Sequence, residues 1–325
     1  MTQEQLARLA HVSVSTVSKA FAYSPDISEE TREAVFRVAR EYGCYDKYCK
    51  ERYEKHVIGV ICPEFHSRYY TEYLSILEKE INARGATMIV GTTEFNIEKE
   101  KELLTFYSTY AKVDGIIMLE IIHKNIGKYT LPIVAKGMVK SNHIMSIRVS
   151  YDQALNDVAK LFIRNGHRKI GFLGERLTVG KAERFLKALK AHGIVPKEEW
   201  VITSNKRFEE AGIDGMEQLL ALEDRPTAVL CAYDYIAIGA MHCLRQHGLT
   251  VPGDISLAGM DNIEDSSYLD SPLTSLLIHK QELCAEMVNV LFQQIEKPYE
   301  KPKVMNQISA SLIERSSVGV VPGKE

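Results

Sequence analysis

Six residues in the stretch "HVSVSTVSKAF", from His11 to Phe21, carry groups suited to contact with a nucleic acid. Small hydroxyl side chains hydrogen-bond phosphates or base edges, a valine methyl packs on a thymine methyl, and a lysine amine reaches guanine O6 and N7. Small side chains also let the backbone approach a major groove closely. The six residues are Ser13, Val14, Ser15, Thr16, Ser18 and Lys19.

These groups act together only if one face of a helix presents them. The alternation of valine and serine that opens the stretch is typical of a half-buried strand, but it ends at Ser15. A helix capped by Ser13 instead places Val17, Ala20 and Phe21 on one side and most of the polar residues on the other. Because this sorting is the better one, the stretch predicts a helix.

Two further helices flank this one. Thr2 and Gln5 form a capping-box pattern that begins a short helix, in which Leu6 and Leu9 share a face. The stretch "SPDISEETREAVFRVAREYG" predicts a third helix that Ser28 caps. Two short helices joined by a tight turn, the second with hydroxyl groups outward, form a helix-turn-helix. The same spacing is also consistent with a packing domain whose serines are only solvated.

A second set of residues suits a polar small molecule. Arg184 lies in a predicted helix, and its guanidinium can bind two adjacent hydroxyls or a carboxylate. Asp234 and Asp261 end the apolar runs "TAVLCAYD" and "ISLAGMD", and open α/β sheets bind ligands at the carboxyl ends of such strands. Composition alone favours the other interpretation, a solvated arginine and two helix-capping aspartates.

The elements that would position these residues follow a regular pattern. From Val57 onward, short β-branched runs alternate with longer amphipathic stretches, which predicts parallel sheets covered by helices. The pattern occurs twice, with a seam near residues 148–151, and indicates two α/β lobes. The predicted strands are "VIGVIC", "ATMIVG", "DGIIML", "PIVA", "KIGFLG", "WVIT", "TAVLCA" and "ISLAGM". Predicted helices over residues 70–84, 152–165 and 236–247 end at Gly85, Gly166 and Gly248.

Composition excludes several classes of protein. A formal charge of −3, with 26% charged and 45% hydrophobic residues, is typical of a soluble globular chain. No run of about 18 apolar residues occurs and the start "MTQEQLARLA" differs from a signal peptide, so we expect a cytoplasmic protein with no membrane partner. The six cysteines lack C-x-x-C pairs and are expected to be structural. Without a G-x-G-x-x-G or P-loop motif, a metal cluster or a nucleophile with a base, we expect no cofactor, no metal and no enzyme activity.

The chain resembles the lactose-repressor/galactose-repressor family of bacterial transcription regulators. "QLARLAHVSVSTVSKAF" and "SPDISEETREAVFRVAREYG" look like the DNA-binding head of that family. "NGHRKIGFLG", "RPTAVLCAYDYIAIGAM", "VPGDISLAGMDN", "SPLTSLLIH" and "LIERSS" follow in the expected order. The resemblance therefore covers nearly the whole chain.

The resemblance implies an α/β protein with a small all-helical helix-turn-helix head and a two-lobed, periplasmic-binding-protein-like body with parallel sheets. The head would span residues 1–45 and the linker residues 46–56. The body would span residues 57–325, with lobe 1 at about 57–149 and 278–304 and lobe 2 at about 150–277 and 305–319. Three chain crossings between the lobes are then expected near Val149, Leu276 and Met305.

The family also implies partners and site residues. A homodimer would bind a double-stranded operator, and a small-molecule effector in the cleft would control that binding, most often as a repressor. Arg184, Asp234 and Asp261 match effector-binding positions of the family, as do Tyr69 and Tyr70, which on the residues alone suit core and rim of a helix equally well. Arginine, carboxylates and aromatic rings favour a sugar or sugar phosphate, while a purine or another metabolite stays open.

The connector departs from the family pattern. Relatives place a proline and an asparagine there, and a leucine that enters the minor groove. Tyr53 stands where that leucine is expected. With Thr2 and the six residues of the opening stretch, Tyr53 brings the residues predicted to contact DNA to eight.

Two other classes of protein would have different sequences. A binding protein of transport or chemotaxis would carry an export signal and no head, and an enzyme on a doubly wound α/β fold would show catalytic groups.

Overall fold

The computed structural model describes residues 1–48, 55–122, 129–137, 139, 144–297 and 307–321. The chain divides into an N-terminal unit, Met1–His56, and a larger unit, Val57–Glu325. We call them the head and the body. The predicted class, α/β with a helical head and two lobes built on mainly parallel sheets, is confirmed. No helix in the described part of the chain is both long and apolar enough to cross a membrane.

Local capping explains where the helices of the head begin. The Thr2 hydroxyl accepts a hydrogen bond from the Gln5 amide, and the Thr2 amide donates one to the Gln5 side-chain oxygen, so the predicted capping box is confirmed. Ser13 and Ser28 cap the next two helices in the predicted way, with their hydroxyls on the amides of Thr16 and Thr31. The helices of the head are α1 (Gln3–Leu9), α2 (Val14–Phe21), α3 (Glu29–Glu41) and α4 (Tyr45–Tyr48).

The head has a small apolar core of its own. Its buried members are Leu6, Ala7, Val17, Ala20, Phe21, Val35, Phe36, Ala39 and Cys44. Leu9, expected on the inner face of α1, is 41% exposed; Ala7 takes that place. The expected boundary after residue 45 is also too early, because the Tyr48 ring packs on Phe21 and its hydroxyl donates to the Met1 carbonyl at 2.6 Å.

Two six-stranded sheets form the body. The sheet of lobe 1 has the order β11-β5-β4-β3-β1-β2 and the sheet of lobe 2 the order β12-β10-β9-β8-β6-β7. All neighbours are parallel except β10 and β12. The strands are β1 (Val57–Cys62), β2 (Thr87–Thr92), β3 (Gly115–Met118), β4 (Ile133–Lys136), β5 (Met145–Ser150), β6 (Ile170–Glu175), β7 (Val201–Ser204), β8 (Ala228–Cys231), β9 (Ser256–Met260), β10 (Thr274–Leu277), β11 (Gln307–Ser309) and β12 (Ser311–Ile313).

Helices cover the sheets and bury an apolar core in each lobe. All eight predicted strands are present, whereas β5, β10, β11 and β12 were not predicted from their sequence. Gly85, Gly166 and Gly248 have the positive φ that was expected after α5, α7 and α10. The helices are α5 (Arg68–Ala83), α6 (Ile97–Thr105), α7 (Asp152–Arg164), α8 (Val179–Ala191), α9 (Phe208–Leu220), α10 (Asp234–Gln246) and α11 (Lys280–Glu296).

The chain passes between the lobes three times in the described residues. It leaves lobe 1 between β5 and α7 and returns between β10 and α11. The third crossing is at Ala310, between β11 and β12, and the expectation of a crossing near Met305 is wrong. The reason is that residues 307–309 still pair with β5, which keeps them in the sheet of lobe 1.

Candidate functional site

The outer face of α2 carries the polar residues predicted to contact DNA. Val17, Ala20 and Phe21 are buried on the inner face, which orients the helix. Val14, also on the outer face, is 42% exposed. The other exposed residues of this face are Ser13, Ser15, Ser18 and Lys19, and Thr16 is half-buried.

Hydrogen bonds already occupy some of these hydroxyls. The Ser13 oxygen accepts from the Thr16 amide at 3.0 Å and lies 2.7 Å from the Ser15 hydroxyl and 2.8 Å from the Thr16 hydroxyl. The Thr2 hydroxyl accepts from the Gln5 amide at 3.2 Å. Thr2 and Ser13 therefore act first as helix caps. Tyr53 lies outside the described residues.

Lys19 has a partner that sequence reasoning missed. Its amine lies 3.1 Å from the Asp26 carboxylate, and both side chains are largely exposed. The hydrogen bond and the charge of Lys19 lower the pKa of Asp26. Exposed ion pairs are weak, so Lys19 can exchange Asp26 for another acceptor at little cost. The turn between α2 and α3 hides such a pair from helical spacing, because Asp26 belongs to neither helix.

A cavity of about 490 Å³ lies between the two lobes of the body. The carboxyl ends of strands from both sheets supply much of its wall, as expected for an α/β fold. Four of the five residues predicted to bind a small molecule line it: Tyr69, Tyr70, Arg184 and Asp261.

Lobe 1 contributes two tyrosines and an ion pair whose lysine is buried. The rings of Tyr69 and Tyr70, in the first turn of α5, meet edge to face with centroids 5.0 Å apart. Lys136, at the end of β4, is buried; its amine lies 3.1 Å from Glu120 and 3.5 Å from the Tyr69 hydroxyl. Burial alone would lower the pKa of Lys136, but Glu120 raises it, and the net direction is upward. The amine is therefore charged at neutral pH.

Lobe 2 contributes an aspartate with an unused oxygen. Asp261 is only 6% exposed, yet its Oδ1 accepts no hydrogen bond from the described residues. The Lys181 amine lies 3.7 Å away and donates instead to the Ala232 carbonyl at 2.7 Å. Arg184 is exposed on the same helix as Lys181 and forms no ion pair within the described chain. Buried polar atoms are normally satisfied, so this oxygen indicates a place for a hydrogen-bond donor from outside the chain.

Arg207 joins the two lobes at the cavity wall. It donates to Glu64 of lobe 1 at 2.8 and 3.2 Å, and its Nε lies 3.3 Å from Glu175 of lobe 2. The guanidinium also lies over the rings of Phe95 and Phe208, at 5.3 and 4.4 Å from their centroids. Two carboxylates neutralise this arginine, which leaves Arg184 as the more available cation of the lobe 2 wall.

Asp234 does not line the cavity, contrary to the prediction that it binds a small molecule directly. It is fully buried at the start of α10, where it accepts from the Ser275 hydroxyl at 2.6 Å and the Ile263 amide at 2.8 Å. Burial raises the pKa of the Asp234 carboxyl to about 8. Asp234, the first residue of α10 after β8, has its side chain directed inward to Ser275 of β10. Its position after a strand therefore predicted the correct edge of the sheet, but the side chain does not enter the cavity.

Sequence reasoning missed several cavity residues that the same rule would have found. Glu120 follows β3 and Lys136 ends β4, just as Asp261 follows β9. The strand ends of lobe 1 thus carry the same signal as those of lobe 2, the presence of polar residues at the carboxyl end of a parallel strand. Arg207 and Phe208 have a weaker signal, since they follow the edge strand β7 by several residues.

A helix-turn-helix head joined to a two-lobed body defines a class of bacterial transcription regulators. Residues 4–45 match the family described as bacterial regulatory proteins, lacI family, and residues 159–318 match the periplasmic binding protein-like domain. A curated relative, the HTH-type transcriptional repressor PurR of Erwinia tasmaniensis, is 31% identical over an alignment of 342 positions, which covers 100% of this chain and 98% of the relative. The chain belongs to the lacI family, and it is a DNA-binding transcriptional repressor rather than an enzyme.

Solved structures share the fold over almost the whole chain. The lac repressor dimer bound to operator and the anti-inducer ONPF has a TM-score of 0.72 and 23% identity, with 98% of this chain and 99% of that chain covered. A complex of the transcriptional regulator CelR with cellobiose has a TM-score of 0.71 and 23% identity, with the same coverage.

Proposed function

We propose that a small polyhydroxylated effector, a sugar or a sugar phosphate, binds between the lobes and controls the affinity of this repressor for its operator. The observation that carries the proposal is the unused, buried oxygen of Asp261 in a cavity that also holds free Arg184. A carboxylate accepts hydrogen bonds from hydroxyls, and an arginine binds a pair of hydroxyls or an anion.

The rest of the cavity wall suits the same ligand class. The rings of Tyr69 and Tyr70 offer apolar surface for the face of a sugar ring. Glu120 and Lys181 add an acceptor and a donor at opposite lobes. CelR, a relative of the same fold, has been solved with cellobiose, a sugar. A purine is the second candidate, because the face of a tyrosine ring would also cover a flat base.

The homodimer is likewise a proposal. The lac repressor of similar fold was solved as a dimer on operator. On lobe 2, Tyr268 is 78% exposed next to a groove of about 350 Å³ that Met241 and Leu269 line. Exposed apolar groups of this kind suit a second copy of the chain, and a two-fold dimer would place one head on each half of a pseudo-palindromic operator. Analytical ultracentrifugation of the purified protein is expected to give twice the 36.7 kDa of one chain, and the mass of a single chain would contradict the dimer.

The operator contacts proposed for α2 can be tested at Lys19. Lys19→Ala is expected to weaken binding to the best duplex selected from a random library by roughly 1 to 3 kcal/mol if the amine reads a guanine. Asp26→Asn should have the opposite sign, because it removes the competing carboxylate and its repulsion of phosphates. Fluorescence anisotropy on selected and random duplexes measures both. Equal losses on the two duplexes for Lys19→Ala would show a phosphate contact only.

The effector site can be tested with a panel of D-glucose, D-glucose 6-phosphate, D-ribose 5-phosphate and adenine. A compound at 100 times its dissociation constant adds roughly 2.7 kcal/mol of stability, which a thermal-shift screen detects. Arg184→Ala and Asp261→Asn are each expected to weaken calorimetric binding by about 1 to 3 kcal/mol, since each removes a charged hydrogen-bonding partner. Arg184→Ala should discriminate most against the phosphates.

The matched control is Lys160→Ala, which also removes an exposed helix cation of lobe 2 but lies away from the cavity. Unchanged affinity in both Arg184→Ala and Asp261→Asn would contradict the cavity assignment. Binding of adenine alone would replace the sugar class with the purine class.

A further inference from the structure

The backbone that carries Asp261 into the cavity is strained. Asp261 has φ of 96° and Asn262 φ of 46°, so two successive residues other than glycine occupy the left-handed region. Such conformations persist only where the surroundings fix them, and they occur most often at functional sites. A chain that relaxed here would turn the Asp261 carboxylate away from its present place.

Three hydrogen bonds hold the segment from the side of β10 and α10. The Asp261 amide donates to the Leu276 carbonyl at 2.8 Å. The Asn262 amide donates to the Ser275 hydroxyl at 3.0 Å, and the Ile263 amide donates to Asp234 at 2.8 Å. Because the Ser275 hydroxyl in turn donates to Asp234 at 2.6 Å, the two buried side chains form one unit under the segment.

Arg315 holds the same segment from the other side. Its guanidinium donates to the Asn262 side-chain oxygen at 2.7 Å and to the Leu273 carbonyl at 2.5 Å. Its own amide donates to Thr274 at 2.9 Å. Arg315 follows β12, the strand after the third crossing. The segment is therefore fixed between β10 and β12, the two strands of lobe 2 that are joined to lobe 1 by crossings.

We propose that Asp234, Ser275 and Arg315 are positioning residues for effector recognition: from outside the cavity they hold Asp261 in the strained conformation that presents its free oxygen to the effector. The inference rests on the effector site proposed above and adds residues that do not line the main cavity. It also gives Asp234 a role in effector recognition, although this residue is fully buried and cannot touch the effector itself.

The test compares two buried serines of lobe 2. Ser275 and Ser256 are both fully buried on neighbouring strands, and each hydroxyl makes two hydrogen bonds, but those of Ser256 go to Gly319, away from the cavity. Ser275→Ala and Ser256→Ala should therefore lower the melting temperature by similar amounts. Arg315→Met tests the other side of the segment, and Ser275→Thr, which keeps the hydroxyl, is the conservative rescue.

Two measurements on the full chain separate positioning from stability. Amide hydrogen exchange at Asn262 and Ile263 should become about tenfold faster in Ser275→Ala, and the exchange at Asn262 faster in Arg315→Met, with no change in Ser256→Ala. Calorimetry with D-glucose 6-phosphate and the rest of the panel should show about tenfold weaker binding in Ser275→Ala. Ser256→Ala should bind the same compounds as tightly as the wild type. Ser275→Thr should restore both.

Unchanged exchange at both amides in Ser275→Ala would overturn the proposal, and so would an equal loss of affinity in Ser256→Ala, which would mean general destabilisation. Failure of the effector proposal has a different signature. In that case no panel compound binds the wild type, while the exchange measurements still decide whether Ser275 and Arg315 hold the segment.

Discussion

Replacing Arg207 with methionine is expected to lower the free energy of unfolding of the body by about 3 kcal/mol, the lower end for breaking a buried ion pair. Methionine keeps the apolar contacts but leaves two carboxylates without their cation. The side chain of Glu175 is 3% exposed and that of Glu64 13%, so both carboxylates are poorly hydrated once the guanidinium is removed. Arg207 itself is 38% exposed, which is why the lower end applies.

Urea unfolding followed by circular dichroism measures this loss. Arg164→Met is the matched control, because Arg164 and Glu314 form a pair on the surface of lobe 2 with side chains 61% and 46% exposed. Its effect should stay within about 0.5 kcal/mol. A loss in Arg207→Met no larger than in the control would mean that the lobes are held by apolar contact alone. Arg207→Lys should not recover full stability, since an ammonium cannot reproduce the forked contacts with both glutamates.

Gly239→Ala is expected to destabilise the body by about 3 kcal/mol, because no space exists for a methyl group. A Cβ on Gly239, in α10, would lie 2.0 Å from the Glu209 carbonyl oxygen, and one on Gly212, in α9, would lie 2.0 Å from that of Ile236. The two helices thus touch backbone to backbone. The clash is with main chain rather than with a movable side chain, so the helices must separate.

Gly180→Ala provides a control of opposite sign. Gly180 lies in α8, where an added Cβ meets nothing within 4 Å, and alanine there should stabilise the helix by up to about 1 kcal/mol. The same unfolding measurement compares the two variants. Equal effects of Gly239→Ala and Gly180→Ala would show that α9 and α10 can move apart freely.

Much of the fold could be predicted because its determinants are local. Ser13 and Ser28 cap helices through amides three residues away, and glycines such as Gly85 end helices by their own backbone freedom. The eight predicted strands are rich in apolar residues, as buried parallel strands are. The edge strands β11 and β12, of three residues each, are too short to carry such a signal.

The site could be predicted only in part, because side-chain direction depends on contacts distant in sequence. Asp234 and Asp261 both follow a strand of lobe 2, yet Ser275 binds the first inside the fold and a left-handed backbone turns the second into the cavity. The pairing of Lys19 with Asp26 depends on a turn whose conformation no periodicity specifies. Arg207 meets Glu64 across 143 positions of the chain.

The order of strands in the two sheets also bears on synthesis by the ribosome. Lobe 2 is nearly continuous in sequence, since β6 to β10 and their helices lie within residues 152–277 and only β12 is added later. Lobe 1 begins first but lacks α11, whose Leu283, Met287 and Leu291 are fully buried in its core. At elongation rates of about 5 to 20 residues per second, the end of α11 is synthesised roughly 7 to 30 s after that of β5. The lobe translated second therefore has all its strands but β12 before lobe 1 receives α11, and the nascent lobe 1 exposes an apolar sheet face to chaperones during that interval.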